Sequence, residues 1–233
     1  MKLKAVVFAV AGLMLLSASN AYAGATVTGK IAFEGTAPTA EPIKMNADPF
    51  CATHKDAVSE SVVVNSNNTL KNVFVYVKDG LGTQTFEAPK EAVPFDQTTC
   101  VYKPHVFGVQ AGQPIEIINS DATLHNVHAT AEKNKGFNLG MPVKGMKLKK
   151  TFNEPEVMVK FKCDVHPWMN AYVGVLNHPF FAVSGDDGTF TIANLPAGTY
   201  TIETWHEKYG TQTQQVTVAE GESKAADFSY KAA

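Results

Sequence analysis

The stretch FKCDVHPWMNAYVGV (Phe161–Val175) sets a cysteine, a histidine and a methionine at three-residue intervals, as Cys163, His166 and Met169. Upstream, INSDATLHNVH (Ile118–His128) places His125 where a strand should begin after a turn. Two imidazoles and one thiolate in a trigonal plane, with a distant thioether, describe a blue-copper electron-transfer site. His125, Cys163, His166 and Met169 offer that donor set. One short loop sets three donors close together, and the fold must deliver the fourth. A rigid scaffold can hold a geometry between those each copper oxidation state would choose, so little moves with the electron. Taken singly, a cysteine or methionine is more often core filler. The combination and its spacing carry the reading.

The elements that must position these donors read as β-strands. TVTGKIAF (Thr26–Phe33), NVFVYV (Asn72–Val77), PIEIIN (Pro114–Asn119), EVMVKFKC (Glu156–Cys163), TFTIA (Thr189–Ala193) and GTYTIETW (Gly198–Trp205) alternate with period two. They are rich in Val, Ile, Thr and Tyr and bounded by turn residues, the pattern of a sandwich or barrel. No long segment of helical period occurs. A short helix is expected from Asp48, with Pro49 at its first position, carrying Cys51 and His54. The alternation turns His128 to the face opposite His125. His178 reads as structural, and His105 and His206 have no evident partner.

The residues HNV after NSD, followed by C-x2-H-x2-M at the end of an alternating strand, resemble the cupredoxins. VFGVQAGQPIEIINSD (Val106–Asp121) resembles their strand entry. The loop CDVHPWM is similar to the short loop of amicyanin, whereas plastocyanin has a longer gap before its Met. The resemblance implies an all-β, Greek-key sandwich, one copper ion on His125, Cys163, His166 and Met169, and Asn126 bracing the site from behind. Trp168, beside Pro167, is either loop packing or an apolar surface around the ligand nearest solvent, where an electron would leave. The flanks ATVTGKIAFEG, LKNVFVYVKDG and DDGTFTIANLPAGTYTIETWHEKYG resemble carboxypeptidase-regulatory or transthyretin-like β-sandwiches. The copper domain, 90–175, is then inserted into a split second sandwich, 24–89 plus 176–231. Tandem order is the alternative.

Residues 1–23 read as a signal peptide. Lys2 and Lys4 precede an apolar run from Ala5 to Leu16 and an Ala21-Tyr22-Ala23 cleavage site. The run is shorter than the about 20 residues a membrane span needs, so the expectation is an exported, periplasmic protein without a transmembrane segment. The 20 basic residues are all Lys. Without arginine, bidentate base and phosphate readout is missing, which argues against nucleic acid. Lys133, Lys135, Lys144, Lys147, Lys149, Lys150, Lys160 and Lys162 crowd one span, either as a solvated face or as a docking field for a redox partner with an acidic surface. Of three cysteines, Cys51 and Cys100 read as a disulfide favoured by export. A second metal site is the rival, since Cys51 and His54 are i,i+3 on the expected helix. Cys163 is flanked by Lys162 and Asp164 and not by the histidines that would reach a second copper centre, and no HExxH, P-loop, GxSxG or GxGxxG pattern occurs. These features point to an electron carrier and not an enzyme. A copper-delivery protein using the same ligands is the other reading.

Overall fold

Period-two alternation becomes two-faced sheet. In the computed structural model, which describes residues 24–232, β1 (Ala25–Glu34) buries Ala25, Val27, Ile31 and Phe33, as a pleated strand over a core requires. The signal peptide read at residues 1–23 lies outside the described residues. No helix among them is long and apolar enough to cross a membrane.

After β1 comes β2 (Phe74–Asp79). Nine strands follow: β3 (Val93–Thr98), β4 (Val101–Lys103), β5 (Val106–Gln110), β6 (Pro114–Asn119), β7 (His125–Thr130), β8 (Phe137–Met141), β9 (Lys147–Thr151), β10 (Glu156–Lys162) and β11 (Asn170–Leu176). The chain closes with β12 (Phe181–Val183), β13 (Thr189–Leu195), β14 (Gly198–His206), β15 (Gly210–Val218), β16 (Ser223–Ala225) and β17 (Phe228–Lys231). The nine middle strands form two sheets, β5-β11-β10-β7-β8 and β4-β3-β6-β9. Facing each other, they enclose a core of Phe95, Tyr102, Phe107, Ile115, Ile117, Phe152 and Phe161. This is the Greek-key sandwich that the cupredoxin resemblance implies. The remaining strands form β13-β1-β16, with β17 also on β1, and β12-β2-β14-β15. Their core holds Ile31, Leu70, Val75, Phe190, Ile192, Tyr200 and Ile202. Strand β2 pairs with both β12 and β14. The chain therefore leaves the second sandwich after Asp79, builds the first, and returns to β2's own neighbour. In chain order, β3 to β11 thus lie between β2 and its neighbour β12.

The two sandwiches meet through an aromatic seam. Gly108 on β5 and Gly174 on β11 are register partners. A Cβ at Gly174 would lie 2.3 Å from the Phe74 ring, and one at Gly108 would lie 2.4 Å from the Phe181 ring. Two adjacent glycines thus cut a flat slot that Phe74 and Phe181 fill as a stacked pair, their centroids 5.7 Å apart. His105 binds Glu207 across the same junction at 2.5 Å. His178 reads correctly as structural: its Nε2 donates to the Val77 carbonyl at 2.9 Å.

The expected helix at Asp48 is a single 3-10 turn, Cys51–Thr53. It belongs to the long connection between β1 and β2, residues 35–73, which has little regular structure of its own. Connections of that length in a folded domain usually serve function.

Two predictions follow from packing and burial. Gly174→Val drives a branched side chain into Phe74 and should lower the unfolding free energy by about 1–3 kcal/mol, read by urea titration. The second concerns His206, buried at the end of β14, whose Nδ1 accepts the amides of Lys208 and Tyr209 at 3.1 and 3.4 Å. Burial pushes its pKa down against Glu207, with His105 and Lys208 acting in the same direction as burial, to about 4 from 6.5. The unfolded chain therefore takes up the proton first. This contribution is complete above pH 6.5 and disappears as pH falls toward 4, amounting to about 3 kcal/mol. His206→Gln should lose less melting temperature than the native protein between pH 7 and pH 4.

Candidate metal centre

His125 opens β7, and Cys163, His166 and Met169 lie in the connection from β10 to β11. The β7–β10 pairing, with Lys162 opposite His128, brings the two ends together. Short backbone bonds then close the loop on itself. The Cys163 amide donates to the Met169 carbonyl at 3.1 Å, and the Met169 amide donates to the His166 carbonyl at 2.9 Å. The His166 amide donates to the Cys163 sulfur at 3.3 Å. Asn126 braces the loop from β7: its Oδ1 accepts the Asp164 amide at 2.7 Å and lies 3.3 Å from the Cys163 sulfur. Tyr102 in turn donates to the Asn126 carbonyl at 2.5 Å.

One ligand atom each from His125, Cys163 and His166 falls within 4.8 Å of the others. His125 Nδ1 is 2.9 Å from His166 Nδ1, which is 3.9 Å from the Cys163 sulfur. The three side chains are 0%, 3% and 2% exposed. Met169 is buried in the same cluster as Cys163. A soft ion with N and S ligands about 2.0 and 2.3 Å away keeps such atoms within about 4 Å of one another, so the donors are close enough to share one.

The carboxylates behind the histidines are absent from the sequence reading. Asp121 Oδ2 sits 2.9 Å from His125 Nε2, and Asp48 Oδ2 sits 3.2 Å from His166 Nε2. An ionised carboxylate only accepts, so both Nε2 atoms carry the proton and both Nδ1 lone pairs point inward at each other. Two facing lone pairs need a cation between them, and the fit to a metal ion rests on this arrangement. A proton can take that place. Burial pushes His125 down, but its bonds to Asp121 and Cys163 outweigh that and hold it at about 8. Burial raises the Cys163 thiol, but His125 and nearby amides lower it further, leaving it below the ordinary range. Burial lowers His166, helped by the His125 charge and opposed by Asp48. Burial works to raise Asp48, yet the Cys51 amide, Thr123 and His166 bring it down to about 2.

His166 is buried. The strap between β1 and β2 covers it, and the Cys51 sulfur lies 3.8 Å from its Nε2. Trp168 is half-buried, its ring 5.0 Å from His166 and its indole N–H donating to the Cys100 carbonyl at 2.9 Å. The exposed part of the loop is Asp164, Val165 and Pro167. Cys51 and Cys100 form a disulfide, with Cα atoms 5.6 Å apart. His54 stands outside the clustered ligand groups found among the described residues. His128 lies on the outer side, bonded to Asp164 at 2.9 Å.

Lys147, Lys149 and Lys150 lie on the edge strand β9, Lys160 and Lys162 on β10, and Lys133, Lys135 and Lys144 in the connections flanking β8. Lys147 pairs with Glu116 and Lys162 with Asp164. Lys150 and Lys160 lie over the Phe137 and Tyr172 rings.

No protein among the curated sequences matches the chain. Residues 159–231 match the family description "Carboxypeptidase regulatory-like domain". That match begins inside β10, so its first part lies in the first sandwich and the remainder in the second. Among solved structures, a purple cupredoxin from Nitrosopumilus maritimus is similar at 21% identity and TM-score 0.31, over 36% of this chain and 98% of that one. The Cu(I) form of an amicyanin mutant is similar at 25% identity and TM-score 0.33, over 45% and 98%. A copper-containing nitrite reductase from Thermus scotoductus SA-01 is similar at 20% identity and TM-score 0.36, over 42% of this chain and only 25% of the enzyme's length. Cupredoxins are thus what one sandwich is similar to, and a carboxypeptidase regulatory-like domain what the other is similar to. Likeness at this level touches less than half of the chain and fixes no residue's role.

The tether over the site yields a prediction of its own. The disulfide spans 49 residues, and closing such a loop restricts the unfolded chain by about 4 kcal/mol in the chain-entropy account. The Cys51→Ser/Cys100→Ser double variant should lose about 2–4 kcal/mol of unfolding free energy in guanidinium titration.

Proposed function

We propose that this chain carries single electrons between redox partners through one copper ion that His125, Cys163 and His166 would hold, with Met169 as the weak fourth donor. The observation that carries the reading is the inward-facing pair of Nδ1 lone pairs beside a buried sulfur, each imidazole fixed by a carboxylate at its far nitrogen. Copper in such a donor set supplies a reversible one-electron couple. The protein's part is to hold the tautomers, keep the thiol ready to ionise, and exclude water. Asn126 fixes the Cys163 end of the loop through the Asp164 amide.

The same enclosure favours a carrier over a delivery protein. A copper donor must present ligands to an acceptor, whereas these are buried beneath a disulfide-tethered strap. Nor does the site resemble an enzyme's, for the groups beside Cys163 are Lys162 and Asp164, which pair with each other at 3.1 Å. We read residues 90–175 as the copper domain, and 24–89 with 176–231 as a split supporting sandwich. Export to the periplasm follows from the signal peptide. The redox partner is a protein with an acidic surface, met by exposed Lys133, Lys135, Lys144, Lys147 and Lys149 on β9 and the connections flanking β8.

Adding Cu(II) to the mature protein should produce an intense visible thiolate-to-copper band at one equivalent, with reversible reduction. Cys163→Ser should abolish the band. A native protein that binds Cu(II) without the band, or passes copper to an acceptor with no reversible couple, contradicts the carrier reading.

A further inference from the structure

We propose that Asp48, brought from the β1–β2 connection, is a positioning residue for His166 that stabilises the oxidised site. The inference rests on the copper reading above. Asp48 lies far from the ligands in sequence, yet its carboxylate is fixed from four sides. Oδ1 accepts the amides of Phe50 and Cys51 at 2.7 and 3.0 Å. Oδ2 accepts the Thr123 hydroxyl at 2.7 Å and the His166 Nε2–H at 3.2 Å. The amides of the 3-10 turn therefore orient the group before any ion binds.

The turn is itself held in place. Cys51 is joined to Cys100, whose amide donates to Asp121 Oδ2 at 2.8 Å, and that same oxygen binds His125. One connected path thus runs from His166 through Asp48 and the disulfide to Asp121 and His125. A carboxylate on the far nitrogen of a ligating imidazole fixes its tautomer and raises its basicity. A negative charge in a water-poor site also favours the more highly charged of two ions. Both effects act in the same direction, toward Cu(II).

The test is potentiometric titration of the copper-loaded full mature protein. Asp48→Asn keeps an acceptor for the turn amides and removes the charge. It should weaken Cu(II) relative to Cu(I) about tenfold, which raises the potential by about 59 mV for a one-electron couple. Thr123→Val removes a competing donor from Oδ2, leaves more of that oxygen to His166, and should move the potential the opposite way. This second variant carries the test if Asp48→Asn fails to fold. In the reduced native protein the His166 Nε2–H should give a slowly exchanging proton resonance, lost in Asp48→Ala. Unchanged potentials in both variants, with only a lower unfolding midpoint in Asp48→Asn, would overturn the inference and leave the copper reading standing. Absence of the thiolate-to-copper band in the native protein would overturn both.

Discussion

Two imidazole nitrogens facing each other at 2.9 Å in a buried pocket constrain everything around them. Each ring must be held in that orientation where solvent is excluded. Asp121 holds one ring and Asp48 the other, and each aspartate is in turn fixed by backbone amides: Thr99 and Cys100 for Asp121, Phe50 and Cys51 for Asp48. The disulfide closes this arrangement by joining the two amide groups covalently. A polar cluster of this kind is costly when half satisfied and rigid when complete. The Cys163 sulfur completes it on the inner side, with Asn126 and the His166 amide fixing its position.

Much of this was legible in the sequence, and the reasons differ by element. The C-x2-H-x2-M loop was readable because local spacing alone sets three donors together, and the His125 strand start because a turn precedes it. Strands with one buried and one exposed face were readable from alternation. Edge strands were not. β9 is KLKKT and β15 is GTQTQQVTV, and their burial is slight, so little apolar residue marks them. At Asp48 the Asp-Pro start suits a short helix, and the structure forms only a single 3-10 turn, Cys51–Thr53. In the structure the Asp48 side chain takes the amides of Phe50 and Cys51, and the backbone turns out of helical geometry at His54. Asp121 carried a faint signal, four residues ahead of His125 across a turn. Asp48 carried none, because only the fold brings it to His166.

The lysine-rich span illustrates how one composition can serve two physical ends. Two of its strands are sheet edges, and lysine on an edge prevents pairing with another chain. Several of its charges are already engaged, with Glu116, with Asp164, or over aromatic rings. Lys133, Lys135, Lys144 and Lys149 remain exposed. A docking field for an acidic surface therefore draws on the hairpin connections more than on the whole run, and its action would be on association rate, screened by salt beyond about 8–10 Å.

The chain path gives the second sandwich a mechanical role at the His125, Cys163 and His166 cluster. The strap over His166 starts from β1 and ends at β2, both core strands of that sandwich. The first sandwich is gripped by the glycine slot at Gly108 and Gly174. The strap is thus anchored in one body and crosses to the other, where the disulfide fastens it. A covering segment with a free end would spend much of its time open, because fixing each residue costs about 1–2 kcal/mol of backbone entropy. Anchoring both ends and fastening the middle removes most of that freedom in advance. The arrangement places a carboxylate against His166 without help from the Cys163–Met169 loop, whose backbone is already closed on itself. That is a physical reason for two sandwiches in one chain: one presents the donors, and the other holds the group that fixes and encloses them.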